Sequence, residues 1–301
     1  MAKGLGVLKD LRHPVTRWGY IFAIPGVVAY LLFTMYPILN SVWQSFHLIT
    51  PGGGPWRLHG VRNYAQIFQD QVFWESLGNT LYYVLMTVPV GAVISLLIAI
   101  ALNSLPKARG FFRSFFFIPS VAGIVAVGVV FGWLYEPYNG LLNLILDTFG
   151  VPRLNWLRDE GLAMPSIAAM TIWRTTGYNV VILLAGLTTI PGVYYEVAQI
   201  DGVGWFRKHW SITLPLVAPA FWFVIIYNTI KNMQVFTEVF VMTGGGPGNA
   251  TTTIGFRIYQ NAFVFMSFGK AAANAVVLLL IILLITIVQL RYFNKGSKVE
   301  Y

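Results

Sequence analysis

The amino-acid sequence predicts an all-α, polytopic membrane protein with about six transmembrane helices. Hydrophobic residues make up 56% of the 301 residues and charged residues only 10%, whereas a soluble globular chain carries about 25% charged residues. The mean hydropathy is +0.66, and six separate stretches reach the ~20 mostly apolar residues that a membrane-spanning helix needs. These stretches and their short connections use up the chain, so no room remains for a soluble catalytic domain.

The predicted spans follow one another along the whole sequence. They cover residues 18–39, 78–103, 112–134, 164–189, 215–240 and 269–293. We therefore divide the chain into an N-terminal segment 1–17, a transmembrane domain 18–293 and a tail 294–301. The first span is too long for the apolar region of a signal peptide and ends at Tyr36-Pro37 without a small-residue cleavage site, so we expect it to be retained.

The connections between spans carry their own signals. Short helices are predicted at residues 61–68 and 143–149, in the two longer external segments. Residues 111–117 contain five phenylalanines, which is typical of an interfacial aromatic belt. Residues 243–253 contain four glycines and one proline but lack the Lys-Ser or Lys-Thr of a phosphate-binding loop. We therefore expect any nucleotide to bind another chain.

Basic residues are distributed unequally between the two sides of the predicted bundle. One side has twelve and the other has six, with acidic residues among them. The twelve are Lys3, Lys9, Arg12, Arg17, Lys107, Arg109, Arg113, Arg207, Lys208, Arg291, Lys295 and Lys298, and the six are Arg57, Arg62, Arg153, Arg158, Arg257 and Lys270. By the positive-inside rule, both termini and residues 190–214 face the cytoplasm. The net charge of +9 thus lies in short loops, which does not favour a nucleic-acid partner.

The sequence does not indicate an enzyme or a metal site. Cys is absent, which excludes disulfides, thiolate metal sites and Cys nucleophiles. The four His, at positions 13, 47, 59 and 209, lie in scattered loops without His-x-x-x-His spacing. We expect neither a catalytic residue nor a bound cofactor in this chain.

Residues 190–214 form a polar, basic island between the fourth and fifth spans, and residues 194–201 can form a short helix. The candidate residues at this island and its exit are Glu196, Ala198, Asp201, Gly202, Arg207, Leu214 and Pro215. Ala198 lets another backbone approach closely, and Gly202 supplies a turn position where a positive φ costs little. The alternative interpretation is an ordinary cytoplasmic loop whose basic residues only fix the topology.

The spacing in this island resembles the coupling loop of binding-protein-dependent ABC importers. Glu-x-Ala occupies residues 196–198, Gly202 follows after three residues, and Ile-x-Leu-Pro occupies residues 212–215 after nine more. In that family this loop is the cytoplasmic helix that docks on the ATP-hydrolysing subunit. The resemblance implies that this chain is the membrane part of an importer driven by ATP bound elsewhere.

A second resemblance extends toward the C-terminus. Residues 234–247, Gln-Val-Phe-Thr-Glu-Val-Phe-Val-Met-Thr-Gly-Gly-Gly-Pro, and residues 269–272, Gly-Lys-Ala-Ala, are similar to the carbohydrate-uptake branch, the maltose/glycerol-phosphate-type sugar permeases. The match covers most of residues 18–293 and implies the type I ABC importer permease fold. It further implies a second, non-identical permease subunit, two ATP-binding subunits that hold ATP and Mg, and an extracytoplasmic solute-binding protein in a prokaryotic cell membrane.

Polar residues interrupt the fourth and fifth spans, where an ionisable side chain normally faces a cavity or a partner. The candidates for a substrate pathway are Arg174, Tyr178, Asn179, Asn228, Lys231, Asn232, Gln234 and Glu238. The family resemblance implies sugar binding from these helices, since amide, hydroxyl and guanidinium groups beside aromatic rings suit sugars. The alternative is interhelical hydrogen bonding with a salt bridge from Glu238 to Lys231 or Arg174.

Lys231 departs from the apolar or aromatic residue that the resemblance leads us to expect, which is compatible with an acidic or phosphorylated ligand. Two other functions stay open from sequence. One is an ABC importer subunit for a non-sugar solute. The other is an ion-coupled secondary transporter or channel, with Arg174, Lys231 and Glu238 as relay groups.

Overall fold

The computed structural model describes residues 14–49, 56–105 and 109–296. Most of the predicted N-terminal segment and the last residues of the predicted tail lie outside the described residues. Within the described part the chain is built from α-helices, with one small antiparallel pairing of β1, His47–Leu48, and β2, Arg57–Leu58.

The helices are numbered here in chain order. They are α1 Pro14–Tyr30, α2 Tyr36–Ser45, α3 Arg62–Gln69, α4 Gln71–Asn103, α5 Arg109–Val121, α6 Ile124–Leu134, α7 Leu141–Thr148, α8 Glu160–Thr188, α9 Val193–Ile200, α10 Trp205–Lys208, α11 Leu214–Met233, α12 Thr237–Met242, α13 Ile254–Tyr259 and α14 Phe268–Gly296. Short π-helical turns at Leu31–Met35, His209–Thr213 and Gln260–Val264 continue α1, α10 and α13. The helices predicted at residues 61–68, 143–149 and 194–201 correspond to α3, α7 and α9.

Five helical segments in the described residues are long and apolar enough to cross a membrane, and the bent pair of α5 and α6 brings the count to six. The five are Trp18–Ser45, Gln71–Asn103, Glu160–Thr188, Trp205–Met233 and Phe268–Phe293. The predicted all-α, polytopic fold with about six spans is confirmed. Each predicted span has a counterpart, but two of them differ in shape from the prediction.

The third span, predicted as one helix over residues 112–134, is sharply bent. α5 and α6 meet at an angle of 93°. Gly123 precedes α6 with ψ 128°, an extended conformation that interrupts the helix. Pro119, in the last turn of α5, has no N–H to extend the helical hydrogen bonding. The bend leaves the end of α5 lying against α8.

The fifth span, predicted over residues 215–240, ends earlier than expected. α11 stops at Met233, and Phe236 takes φ −142° and ψ −57° before α12 begins. The hydroxyl of Thr253 donates to the carbonyl of Val235 at 2.9 Å. Gly255 leaves space for the same carbonyl, since a Cβ there would collide with it. Contacts from α13 therefore fix this break.

α4, α8 and α11 pack around one apolar core. Ala92 on α4, Val180 on α8 and Val224 on α11 are buried in it. The helices approach closely because small residues lie between them: a Cβ on Gly186 of α8 would meet the Cβ of Ala220 on α11 at 2.7 Å. Small residues commonly line helix contacts in membranes, where packing rather than the hydrophobic effect drives association.

The segment Trp18–Ser45 contrasts with this core. None of the residues in its most apolar window is buried, and Phe22 and Phe33 are 79% and 81% exposed. A helix that is apolar all round needs lipid or another protein around it. This surface is therefore available to the bilayer or to another subunit.

Candidate functional site

A polar cavity of about 340 Å³ lies between α5, α8, α11 and α12. Its lining consists of Phe117, Ser120, Arg174, Thr175, Tyr178, Tyr227, Asn228, Lys231, Asn232 and Glu238. Six of the eight predicted pathway residues are among them. The sequence analysis selected these residues from the fourth and fifth spans, and the structure brings the polar residues of α8 and α11 together.

Ser120 on α5 holds the polar turn of α8 in place. Its hydroxyl donates to the carbonyl of Arg174 at 2.7 Å and accepts from the N–H of Tyr178 at 3.1 Å. In a regular α-helix those two backbone groups pair with each other. Gly177 permits this insertion, because a Cβ there would collide with the backbone of Phe116. Both Arg174 and Tyr178 are thus oriented by a neighbouring helix.

The break between α11 and α12 brings Glu238 to the cavity. Its Oε1 lies 3.7 Å from Nη2 of Arg174, which is an ion pair but too long for a strong hydrogen bond. Nε of Arg174 is buried and has no hydrogen-bond partner among the described residues. Of the two salt bridges considered from sequence, the pair with Arg174 is present, and Lys231 forms none with a described residue.

Two asparagines of α11 bind neighbouring helices through their amide nitrogens. Asn228 Nδ2 donates to Oδ1 of Asn179 at 2.9 Å and to the carbonyl of Val224 at 2.8 Å. Asn232 Nδ2 donates to Oγ1 of Thr87 on α4 at 2.8 Å. Asn179 is buried and does not line the cavity, so the structure places it behind the wall as a partner of Asn228.

Aromatic rings form one side of the cavity. Tyr178 and Tyr227 have ring centroids 5.5 Å apart, and Phe223 stacks on Tyr227 at 6.1 Å. Nζ of Lys231 lies 5.9 Å from the centre of the Tyr227 ring, within cation–π distance. A planar apolar surface and a positive charge therefore occupy the same wall.

Gln234 lies elsewhere, and the prediction that it lines this pathway does not fit the geometry. It borders a different, mainly apolar cavity of about 440 Å³ between α2, α13 and α14. The prediction assumed that α11 continues through residue 234, whereas the helix ends at Met233 and the chain turns.

The second candidate site is α9 with its C-terminal cap. Gly202 has φ +64°, and its N–H donates to the carbonyl of Gln199 at 3.1 Å. The N–H of Val203 donates to the carbonyl of Ala198 at 2.9 Å. These two bonds define a Schellman motif, in which a glycine takes the left-handed position after the helix. Gly202 is thus required by the way α9 ends.

Most charged side chains of this region point into solvent. Glu196, Asp201 and Arg207 are exposed and form no ion pair with a described residue. Ala198 is 3% exposed and faces the body of the protein, so it does not present a surface to another chain in this structure. Ile200, by contrast, is 85% exposed. α9 and the segment that follows it therefore carry charges that pair with no described residue, beside the exposed apolar side chain of Ile200.

A hydrogen-bonded group that the sequence did not reveal ties α9 to the start of α11. Oγ1 of Thr213 lies 3.1 Å from the hydroxyl of Tyr195 on α9 and 2.9 Å from Nδ1 of His209. Leu214 and Pro215 begin α11 directly after this group, with proline in the first turn, where it is tolerated. These contacts connect α9 to the start of a membrane-spanning helix. Only the His-x-x-x-Thr spacing could have suggested the contact.

Comparison with known proteins assigns the family. The model described as "Binding-protein-dependent transport system inner membrane component" matches residues 71–296, and the chain belongs to this family. It is therefore a multi-pass permease component of an ABC importer and not itself an ATPase. The family does not support the alternative of an ion-coupled secondary transporter.

Individual relatives match over nearly their whole length. The sulfoquinovosyl glycerol transport permease SmoG of Agrobacterium fabrum is 33% identical to this chain. The match covers 92% of this chain and 92% of SmoG. The lactose permease LacF of Rhizobium radiobacter is 34% identical, covering 90% of this chain and 92% of its own length.

Solved structures confirm the type I permease fold. A chain of a bacterial alginate ABC transporter, in complex with an alginate pentasaccharide-bound periplasmic protein, superposes with a TM-score of 0.83. The two chains are 20% identical, and the match covers 97% of this chain and 99% of the other.

Proposed function

We propose that the chain is the permease subunit of an ABC importer that moves a carbohydrate across a prokaryotic cell membrane. Relatives are named for sulfoquinovosyl glycerol, trehalose/maltose and lactose transport, and a structural neighbour imports the acidic polysaccharide alginate. The observation that carries the proposal is the polar, aromatic-walled cavity of about 340 Å³.

The chemistry of this cavity suits a carbohydrate. Sugar hydroxyls donate and accept hydrogen bonds, and the wall offers both kinds of partner. Arg174 and Lys231 supply donors. Asn228 and Asn232 line the cavity, and because their amide nitrogens already donate to protein atoms, their side-chain carbonyl oxygens are the groups left to accept a hydrogen bond. The ring of Tyr178 suits the C–H face of a sugar. Several modest contacts of this kind hold a substrate without preventing its release.

Partner subunits complete the importer in this proposal. The cavity forms part of a channel shared with a second, non-identical permease subunit, and two ATP-binding subunits hold ATP and Mg. An extracytoplasmic solute-binding protein delivers the sugar. ATP binding closes the two ATP-binding subunits and draws the docked α9 helices together. The helix bundles then rock from inward-facing to outward-facing, and hydrolysis resets them.

The exposed charges of α9 and of the segment that follows it support this docking role. Three charged side chains here have no ion-pair partner among the described residues: Glu196 and Asp201, which come before Gly202 in the chain, and Arg207, which comes after it. They are therefore available to a second protein. The cap at Gly202 gives the helix a defined end. The bonds of Thr213 to Tyr195 and His209 then pass its displacement to α11.

Purification from the native membrane tests the assembly. A tagged chain should co-purify with an ATP-binding protein, a second permease and, in the presence of substrate, a binding protein, all identified by mass spectrometry. The Gly202→Trp variant should retain the second permease but lose most of the ATP-binding protein. A preparation without any ATP-binding protein from the wild-type chain would contradict the proposal.

A further inference from the structure

The charges that line the cavity do not balance. The lining contains two cationic side chains, Arg174 and Lys231, and one carboxylate, Glu238. Both cations lie on the long helices that build the wall, and the carboxylate lies on the short helix α12. The described wall therefore carries one more positive charge than negative.

Arg174 has unused binding capacity. Its guanidinium makes no hydrogen bond to a described residue, its contact with Glu238 is 3.7 Å long, and its Nε is buried without a partner. A guanidinium carries five N–H donors in a planar fork that fits carboxylate, sulfonate and phosphate oxygens. Because Arg174 lines the cavity, its guanidinium has donors left for a ligand there.

Lys231 also lacks a negative partner. It lines the cavity, forms no ion pair with a described residue, and its Nζ lies 5.9 Å from the centre of the Tyr227 ring. A lysine at membrane depth is costly unless a partner or a water-filled cavity compensates it. Lys231 and Arg174 both face the same space, so one anionic group can engage both.

We propose that the transported carbohydrate carries a negative charge, as a carboxylate, sulfonate or phosphate, which binds between Lys231 and Arg174. This inference rests on the proposed carbohydrate function and adds the substrate class. The sugar ring lies against Tyr178 and Tyr227, and its hydroxyls reach the side-chain carbonyls of Asn228 and Asn232. Neutral sugars leave the surplus charge of the wall uncompensated.

Glu238 has a definite part in this arrangement. Its long ion pair with Arg174 keeps the guanidinium partly neutralised while the cavity is empty. An incoming anion competes with Glu238 for the same donors and is repelled by its charge. The anion is therefore recognised without being held so tightly that release is blocked, which is what a transport pathway requires.

The ligand of the cognate binding protein gives the first test. The complete transporter with its binding protein is isolated from its own cells, and the ligand released on denaturation is analysed by mass spectrometry. A carbohydrate with a carboxylate, sulfonate or phosphate supports the inference, and fragmentation distinguishes the three. A neutral carbohydrate overturns it and leaves the proposed function intact. A ligand that is not a carbohydrate contradicts the proposed function itself.

Uptake of that ligand into proteoliposomes gives the second test. Lys231→Gln should lower kcat/KM about tenfold or more, the size expected for loss of one charged contact, and Lys231→Glu should lower it further. Lys270→Gln, the same change at a lysine outside this cavity, should have no such effect. Unchanged uptake by Lys231→Gln overturns the inference. So does a loss of binding to the second permease, since Lys231 would then pair with that subunit.

Discussion

Gly177 of α8 lies so close to the backbone of Phe116 on α5 that no Cβ fits between them. This contact allows the Ser120 hydroxyl to enter the backbone of α8 between residues 174 and 178. The position of the Arg174 and Tyr178 side chains, and hence one wall of the cavity, depends on a glycine that makes no contact with the cavity itself.

Replacing Gly177 with Ala should disturb this wall. The added methyl group forces α5 and α8 apart, and overpacking of this kind costs about 1–3 kcal/mol. We expect a lower melting temperature of the purified transporter and a loss of substrate-dependent uptake. Gly78→Ala on α4, where an added Cβ meets nothing within 4 Å, is the matched control. Equal effects of the two changes would show that the close contact of Gly177 with Phe116 does not determine the shape of this wall.

The bond between Asn228 and Asn179 should couple the two helices measurably. In a double-mutant cycle with Asn228→Ala and Asn179→Ala, we expect a coupling free energy of about 0.6 kcal/mol, the average for such bonds in membranes. Thermal unfolding in detergent measures it. Strict additivity of the two single changes would argue against the bond.

Transport should respond more strongly than stability to changes at Asn228 and Asn232. Both residues line the cavity, so Asn228→Ala or Asn232→Ala should reduce uptake more than assembly or basal ATP hydrolysis. Size-exclusion chromatography and ATPase assays on the same preparations separate these effects. Assembly that fails in parallel with uptake would indicate a structural role alone.

The sequence predicted the helices and the composition of the cavity because both follow from local patterns. Long apolar runs define the spans, and polar residues within them are costly in lipid, so the polar residues of α8 and α11 were expected to face a cavity or a partner. The exceptions depend on tertiary contacts. The end of α11 at Met233 is fixed by contacts from Thr253 and Gly255, which come about 20 residues later in the chain. The sequence does not reveal these contacts, so Gln234 was wrongly assigned to the substrate pathway.

Helix α9 likewise combines features that local sequence signals predict with contacts that depend on distant residues. Spacing alone located α9 and Gly202, since a left-handed glycine after a helix is a local signal. The contact of Thr213 with Tyr195 spans 18 residues and depends on how the loop folds back, so neither residue was predicted. The cytoplasmic location of residues 1–13 and 297–301 stays a prediction, because these residues lie outside the described part of the chain.

The cap of α9 gives a sharp mutational test of docking. Gly202 has φ +64°, whereas Gly204 has φ −63°, and a Cβ at either position meets nothing within 4 Å. Gly202→Ala should cost about 1 kcal/mol in the left-handed conformation and weaken association with the ATP-binding subunits. Gly204→Ala should be nearly neutral. If both variants bind the ATP-binding subunits equally well, the left-handed conformation of Gly202 is not needed for docking.

Membrane orientation can be measured with single cysteines, because the chain has none of its own. Gly204→Cys and Ser297→Cys should be protected from an impermeant maleimide added outside, and Gly248→Cys should be labelled. Permeabilised cells provide the control for reactivity. Labelling of Gly204→Cys from outside would reverse the proposed topology and exclude docking of α9 on cytoplasmic subunits.

The most direct test of the central claim is ATP-dependent carbohydrate uptake by the complete transporter in proteoliposomes, compared between wild type and Gly202→Trp. We expect the wild type to accumulate sugar only with ATP and the binding protein present. Gly202→Trp should insert and assemble with the second permease but transport almost nothing, because its coupling helix no longer docks. Full uptake by Gly202→Trp, or uptake by the wild type without ATP, would contradict the account.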